Sequence, residues 1–165
     1  TSDYRKKMKL EAIAMFTPGA DDQVPIVLAG EKVEIAICFE SLFSNMLRRA
    51  PADAGMLVML TNDELFMGTT MPYQHLQIAR MRALETQRPV VRSANSGISA
   101  FIAASGEIVS RTPVRQRAFL DGSVEPRHGL TPYMRWGDAA PMLLSGLLLA
   151  ISGLLARVRR ARGVS

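Results

Sequence analysis

The stretch from Ala139 to Ala156 constrains this 165-residue chain more than any other part of it. These 18 residues carry no charge and are dominated by Leu, Ala and Gly, with no polar face. As a helix they span roughly 27 Å, close to the hydrocarbon thickness of a bilayer. Arg157, Arg159, Arg160 and Arg162 follow at once. A soluble fold would have to bury such a helix in its core. A bilayer would take it as a span whose arginine end stays in the cytoplasm. The basic flank favours the span, which places the body on the far side of the membrane, the periplasm in a bacterium.

Charge is informative only once it is located. The net charge of +5 comes from the two ends, with Arg5, Lys6, Lys7 and Lys9 at one and the terminal arginines at the other. Residues 10–156 hold 12 basic and 14 acidic side chains, with no basic stripe interleaved with aromatics. A nucleic-acid surface is therefore excluded. The length suits one domain with a real core. The single cysteine, Cys38, excludes an intrachain disulfide. No signal peptide is present and the chain opens on Thr1, so a fragment or truncated form is expected.

The body reads as alternating α and β structure. Lys32–Ile37 alternates polar and apolar residues, and Met56–Leu60 is wholly apolar, predicting a strand buried on both faces. Leu76, Ala79 and Ala83 stripe a helix from about Tyr73 to Thr86, with Pro89 beyond its end. Val90–Ser93 and Ile98–Ala103 predict further strands. Ala104–Glu107 is a hairpin turn signal, and Ile108–Ser110 returns from it. Ala118–Val124 is a last candidate strand. The pattern predicts an α/β sandwich.

Cys38 ends the first of these strands and leads into a helix-like stretch, two residues before Glu40. Helix N-terminal amides and a nearby carboxylate favour a reactive thiolate, although a lone cysteine is also a common core residue. Side chains from different strands converge at the strand ends of such sheets. Cys38 with Glu40, Asn62 with Asp63, and Asn95 all stand there. Lys6 could lower the thiol pKa and steady an oxyanion, or belong to a solvated basic terminus. Asn62-Asp63 could equally be a turn, and Gly97 a tight backbone site. His75 and His128 lack the spacing of a zinc site, and His75 is expected to cap or pack. With no phosphate loop or dinucleotide fingerprint, neither a metal nor a cofactor is expected.

Several blocks occur in one order: Ala36-Ile-Cys-Phe-Glu40, Leu60-Thr-Asn-Asp63, Gln74 to Glu85, Arg88-Pro-Val-Val-Arg92, Asn95 to Ala100, and Gly129 to Asp138. Over about residues 16–160 they closely resemble the C-terminal part of the bacterial apolipoprotein N-acyltransferases, membrane members of the nitrilase (carbon–nitrogen hydrolase) superfamily. The helix block and the Thr-Pro-Tyr block are the specific ones. The resemblance implies an incomplete, C-terminal part of a nitrilase-like α-β-β-α sandwich over residues 1–135. A transmembrane helix over 139–157 and a basic cytoplasmic tail over 158–165 would follow. It implies transfer of an acyl chain from a phospholipid, through a cysteine thioester, to the α-amino group of diacylglyceryl-cysteine lipoproteins. The setting would be the inner membrane, with the catalytic domain periplasmic.

By position, Cys38 would be the nucleophile, Glu40 its supporting carboxylate, and Lys6 the oxyanion lysine. Asn62, Asp63 and Asn95 would line the substrate site. The family's general-base glutamate lies upstream of the lysine, in a segment this sequence does not include. The interval from Lys6 to Cys38 is shorter than the family's, and Leu65 stands where the family has Trp. The alternatives are an inactive, nitrilase-like membrane protein or assembly factor, and a soluble-substrate amidase.

Overall fold

A computed structural model describes residues 24–50, 52–161 and 163. Six strands form one sheet in sequence order: β1 (Ile26–Leu28), β2 (Glu31–Ile37), β3 (Ala54–Asn62), β4 (Val90–Asn95), β5 (Ala100–Ile102) and β6 (Ile108–Arg111). β2, β3 and β4 run parallel, and the remaining pairs are antiparallel. Parallel neighbours need crossovers, and helices supply both. A 3-10 turn (Cys38–Leu42) and α1 (Ser44–Arg48) link β2 to β3; α2 (Met71–Thr86) lies between β3 and β4.

Register decides which side chains meet. Glu34, Leu57, Val90 and Ile102 share one row, and Ala36, Met59, Arg92 and Ala100 the next. These rows face α2, whose Leu76, Ala79 and Ala83 complete a buried cluster with Leu47 and Ile98. The small residues Ala79 and Ala83 let the helix lie close on the sheet. Gln87, left-handed at φ 52°, ends α2 just before Pro89.

The other face of the sheet differs from expectation. Ile37 and Leu60, paired in register, are both exposed, so β3 is buried on its helix side and open opposite. Residues 118–124 form no strand. Gly122 instead lies against the Phe101 ring, and Arg127 N–H donates to Gly55 O at 2.9 Å as the chain returns along the sheet. The candidate strand there finds no ladder to join. β1, only three residues long on the sheet edge, was not foreseen. The two-sheet sandwich is met in part: among the described residues there is one sheet, with helices on one side.

The Thr-Pro-Tyr block has a clear local purpose. Thr131 Oγ1 accepts from Met134 N–H at 3.1 Å, capping α3 (Pro132–Trp136), and donates to Glu85 O at 2.6 Å at the end of α2. Pro132 suits the first turn, where no N–H partner is needed. Arg48 donates to Met134 O at 3.0 Å. α3 is thus pinned to α1 and α2 just before α4 (Ala139–Ala161) begins. Among the described residues, no part of the apolar span Ala139–Val158 is buried.

Glu34 faces the helix side, and burial pushes its carboxyl above the usual range; Arg88 opposes this and Glu40 adds to it. A carboxyl raised on folding stabilises the fold at low pH and loses that contribution as pH rises through its folded pKa. Glu34→Gln is therefore expected to melt above the parent at pH 7. The gap should close as pH is lowered towards 4. A gap that widens on acidification would contradict this sign.

Candidate active site

Cys38 sits where β2 gives way to the 3-10 turn, and its backbone is left-handed at φ 52°. For a residue with a Cβ that conformation costs about 1–2 kcal/mol. Such strain persists only where the surroundings enforce it, and it marks sites of function. The thiol is partly exposed rather than lost in the core. Glu40, two residues on, folds back so that its Oε2 accepts from Ile37 N–H at 2.6 Å. The carboxylate is thereby fixed against the backbone that carries the thiol.

Behind this turn lies a fully enclosed polar network. Asp63, His75 and Arg92 are 0%, 2% and 2% exposed. Asp63 Oδ1 faces His75 Nδ1 at 3.0 Å and accepts from Thr61 Oγ1 at 3.1 Å, while Oδ2 accepts from Arg92 Nη2 at 3.0 Å. Arg92 Nε donates to Ile98 O at 3.1 Å. On the other side of the ring, His75 Nε2 lies 2.8 Å from Ser41 Oγ and 3.3 Å from the carbonyl of Cys38. Ser41 Oγ donates to that same carbonyl at 2.8 Å. Burial pushes the Arg92 guanidinium down from its usual range, and the charges of Asp63 and of Cys38 work against that shift. Gly97 is required here by space: a Cβ would collide with Asp63 Oδ2.

The structure brings most of the expected residues to one edge. Cys38 follows β2, and Asn62 and Asn95 are register partners at the ends of β3 and β4. Asn62 Oδ1 accepts from Glu64 N–H at 3.1 Å, and Asn95 lines a polar cavity of about 590 Å³ with Ser96, Thr112 and Arg115. Asp63 stands apart from these two. Its carboxylate is enclosed and engaged by protein partners, rather than open at the strand ends. Lys6 lies outside the described residues. His75, expected only to cap or pack, is the hinge of the buried network. His128 is elsewhere, with Nε2 2.7 Å from Glu31 Oε1. No group of residues suited to a metal ion occurs among the described residues.

Exposed apolar side chains cluster around this strand end. Ile37 and Leu60 flank it on the sheet, Phe39 is 48% exposed, and Leu65 is 81% exposed. The Phe39 ring meets Phe66 edge-on, with centroids 6.0 Å apart. The edge therefore combines a strained thiol, a fixed carboxylate and an oily rim.

Residues 2–125 match the carbon-nitrogen hydrolase family. The sequence is 38% identical over 149 residues to the apolipoprotein N-acyltransferase of Pasteurella multocida (strain Pm70), covering 90% of this chain and 29% of that protein. It is 41% identical over 150 residues to the protein of the same name from Ralstonia nicotianae, covering 88% of this chain and 28% of that one. The chain thus spans less than a third of the length of these relatives. Among solved structures, Saccharomyces cerevisiae Nit3, a member of branch 10 of the nitrilase superfamily, superposes with a TM-score of 0.53 at 19% identity. That match covers 63% of this chain and 41% of the other, and shows a shared, partial nitrilase-like fold.

Proposed function

The chain belongs to the carbon-nitrogen hydrolase family, and from that membership we propose that it carries the thiol centre of a membrane-bound N-acyltransferase acting on lipoproteins. Cys38 is the nucleophile. Its thiolate attacks an ester carbonyl of a phospholipid, the C–O bond breaks, and the lysophospholipid leaves with a proton. The resulting thioester is then attacked by the α-amino group of a diacylglyceryl-cysteine. The C–S bond breaks, an amide forms, and the amine gives up a proton as the thiolate returns. Glu40 holds the turn and its charge near the reacting groups. Lys6 steadies the oxyanion, and Asn62 and Asn95 shape the acceptor side. A glutamate supplied from outside residues 1–165 serves as general base.

One observation carries this reading over a soluble amidase: the exposed apolar rim of Ile37, Phe39, Leu60 and Leu65 beside Cys38. Small polar amides have no use for such a rim, whereas an acyl chain does. The apolar helix α4 supports a membrane setting, with the sheet on the periplasmic side and the arginines in the cytoplasm. Its root follows α3, which is held by Glu85 at the end of α2 and by Arg48 of α1. The anchor therefore tethers the body, and the rim itself meets the lipid.

The direct test is transfer of a labelled acyl chain from phospholipid to a lipoprotein α-amine in membranes of cells expressing the gene. Glu40→Gln keeps the shape of the side chain and removes its charge, and is expected to slow transfer by roughly 10²-fold. An unchanged rate would remove Glu40 from the reaction. Deleting residues 139–165 is expected to move the body from the membrane to the soluble fraction, read by fractionation. Full retention in the membrane would show that α4 is not the anchor.

A further inference from the structure

We propose that His75 is a positioning residue for the nucleophile, locking the strained backbone of Cys38 through Ser41 while Asp63 and Arg92 hold its ring in place. This rests on the reading of Cys38 as the reactive thiol. A carboxylate only accepts, so the 3.0 Å contact with Asp63 Oδ1 fixes the proton of His75 on Nδ1. Arg92, donating at 3.0 Å to the other carboxylate oxygen, holds Asp63 turned towards the ring. Nε2 is thereby aimed at Ser41 Oγ, 2.8 Å away, and at the Cys38 carbonyl. Ser41 closes the circuit by donating to that carbonyl.

A left-handed peptide at a residue with a Cβ relaxes unless something holds it. Here Ser41 holds the carbonyl of the strained residue itself, from inside the fold, and His75 backs Ser41 at 2.8 Å. Glu40 grips the preceding amide from the other side. The ring reaches Cys38 across 37 residues of sequence, and no member of the network opens to solvent. His75 therefore acts on the reaction through the backbone, without touching substrate.

Cys38 is the only cysteine in these 165 residues, so its alkylation by iodoacetamide, read by mass on the peptide that carries it, reports the state of the turn. The protein is studied in its native membrane, across pH 6–10. Ser41→Ala and His75→Ala are each expected to lower the alkylation rate at pH 7 about tenfold and to move the pH profile. His75→Gln, whose amide can donate or accept beside Ser41, is expected to recover most of the rate. The Ser41→Ala/His75→Ala pair should be no slower than the slower single variant, because both act through one carbonyl. In acyl transfer the same variants should lower kcat and leave KM in place.

If His75→Ala fails to fold, Ser41→Ala, which removes one oxygen, decides alone: a slowed thiol supports the proposal and a parent rate overturns it. Multiplicative effects in the pair, or no recovery with a well-folded His75→Gln, would also overturn it. Alkylation needs no lipid. A normal alkylation pattern with no acyl transfer in any variant, the parent included, would sink the acyltransferase reading and leave this one to be decided by the thiol.

Discussion

Cys38→Ala is expected to abolish acyl transfer, with a loss on the order of 10⁴-fold or more. The change removes the only thiol in the sequence, the group proposed to hold the chain covalently between donor and acceptor. It leaves the strained turn without a reason to exist, since Ala carries the same left-handed penalty as any residue with a Cβ. Folding should be little affected, because the thiol is partly exposed and fills no core position. The pairing of a normal melting curve with absent transfer separates chemistry from structure. Retained transfer at even a tenth of the parent rate would place the nucleophile elsewhere.

Asp63→Ala should have the opposite signature, a large loss of stability. It strands the Arg92 guanidinium and the His75 ring, both almost wholly enclosed, without their shared acceptor. Breaking a buried pair by removing one partner costs about 3–5 kcal/mol. For a domain of this size that lowers the melting midpoint by roughly 10 °C. Asp63→Asn, which keeps the shape but not the charge, should fall between. A melting midpoint for Asp63→Ala within 2 °C of the parent, on the order of 1 kcal/mol or less, would show that the network carries no net stability. That outcome would also weaken any role for it behind Cys38.

Much of the frame was legible from periodicity alone. β2 and α2 follow their alternating and helical patterns, and Gly106 closes the hairpin before β6 with φ 76°, as the Ser-Gly pair suggested. Residues 118–124 misled because a short, partly apolar run says nothing of a pairing partner. They run over Phe101 with no strand beside them. The gathering of Cys38, Glu40, Asn62 and Asn95 at one edge was legible, because strand ends converge. Its inner part was hidden because each member looks ordinary locally. Asp63 reads as half a turn, His75 as one helix residue, and Arg92 as one strand residue, and they meet only across 12 and 29 positions. A signal was present all the same. His75 lies on the same stripe as Leu76 and Ala79, and Arg92 shares the inward face of β4 with Val90. Polar residues on two faces that pack together must satisfy each other.

Family membership and the strained thiol together make a covalent intermediate the central point. Membranes carrying the protein would be incubated with a phospholipid of one defined acyl chain and no acceptor, then digested and weighed. The expected result is a mass increment equal to that acyl chain on the peptide containing Cys38, released by neutral hydroxylamine as a thioester must be. An unmodified Cys38 peptide in membranes that still acylate lipoproteins, or an increment that resists hydroxylamine, would contradict it.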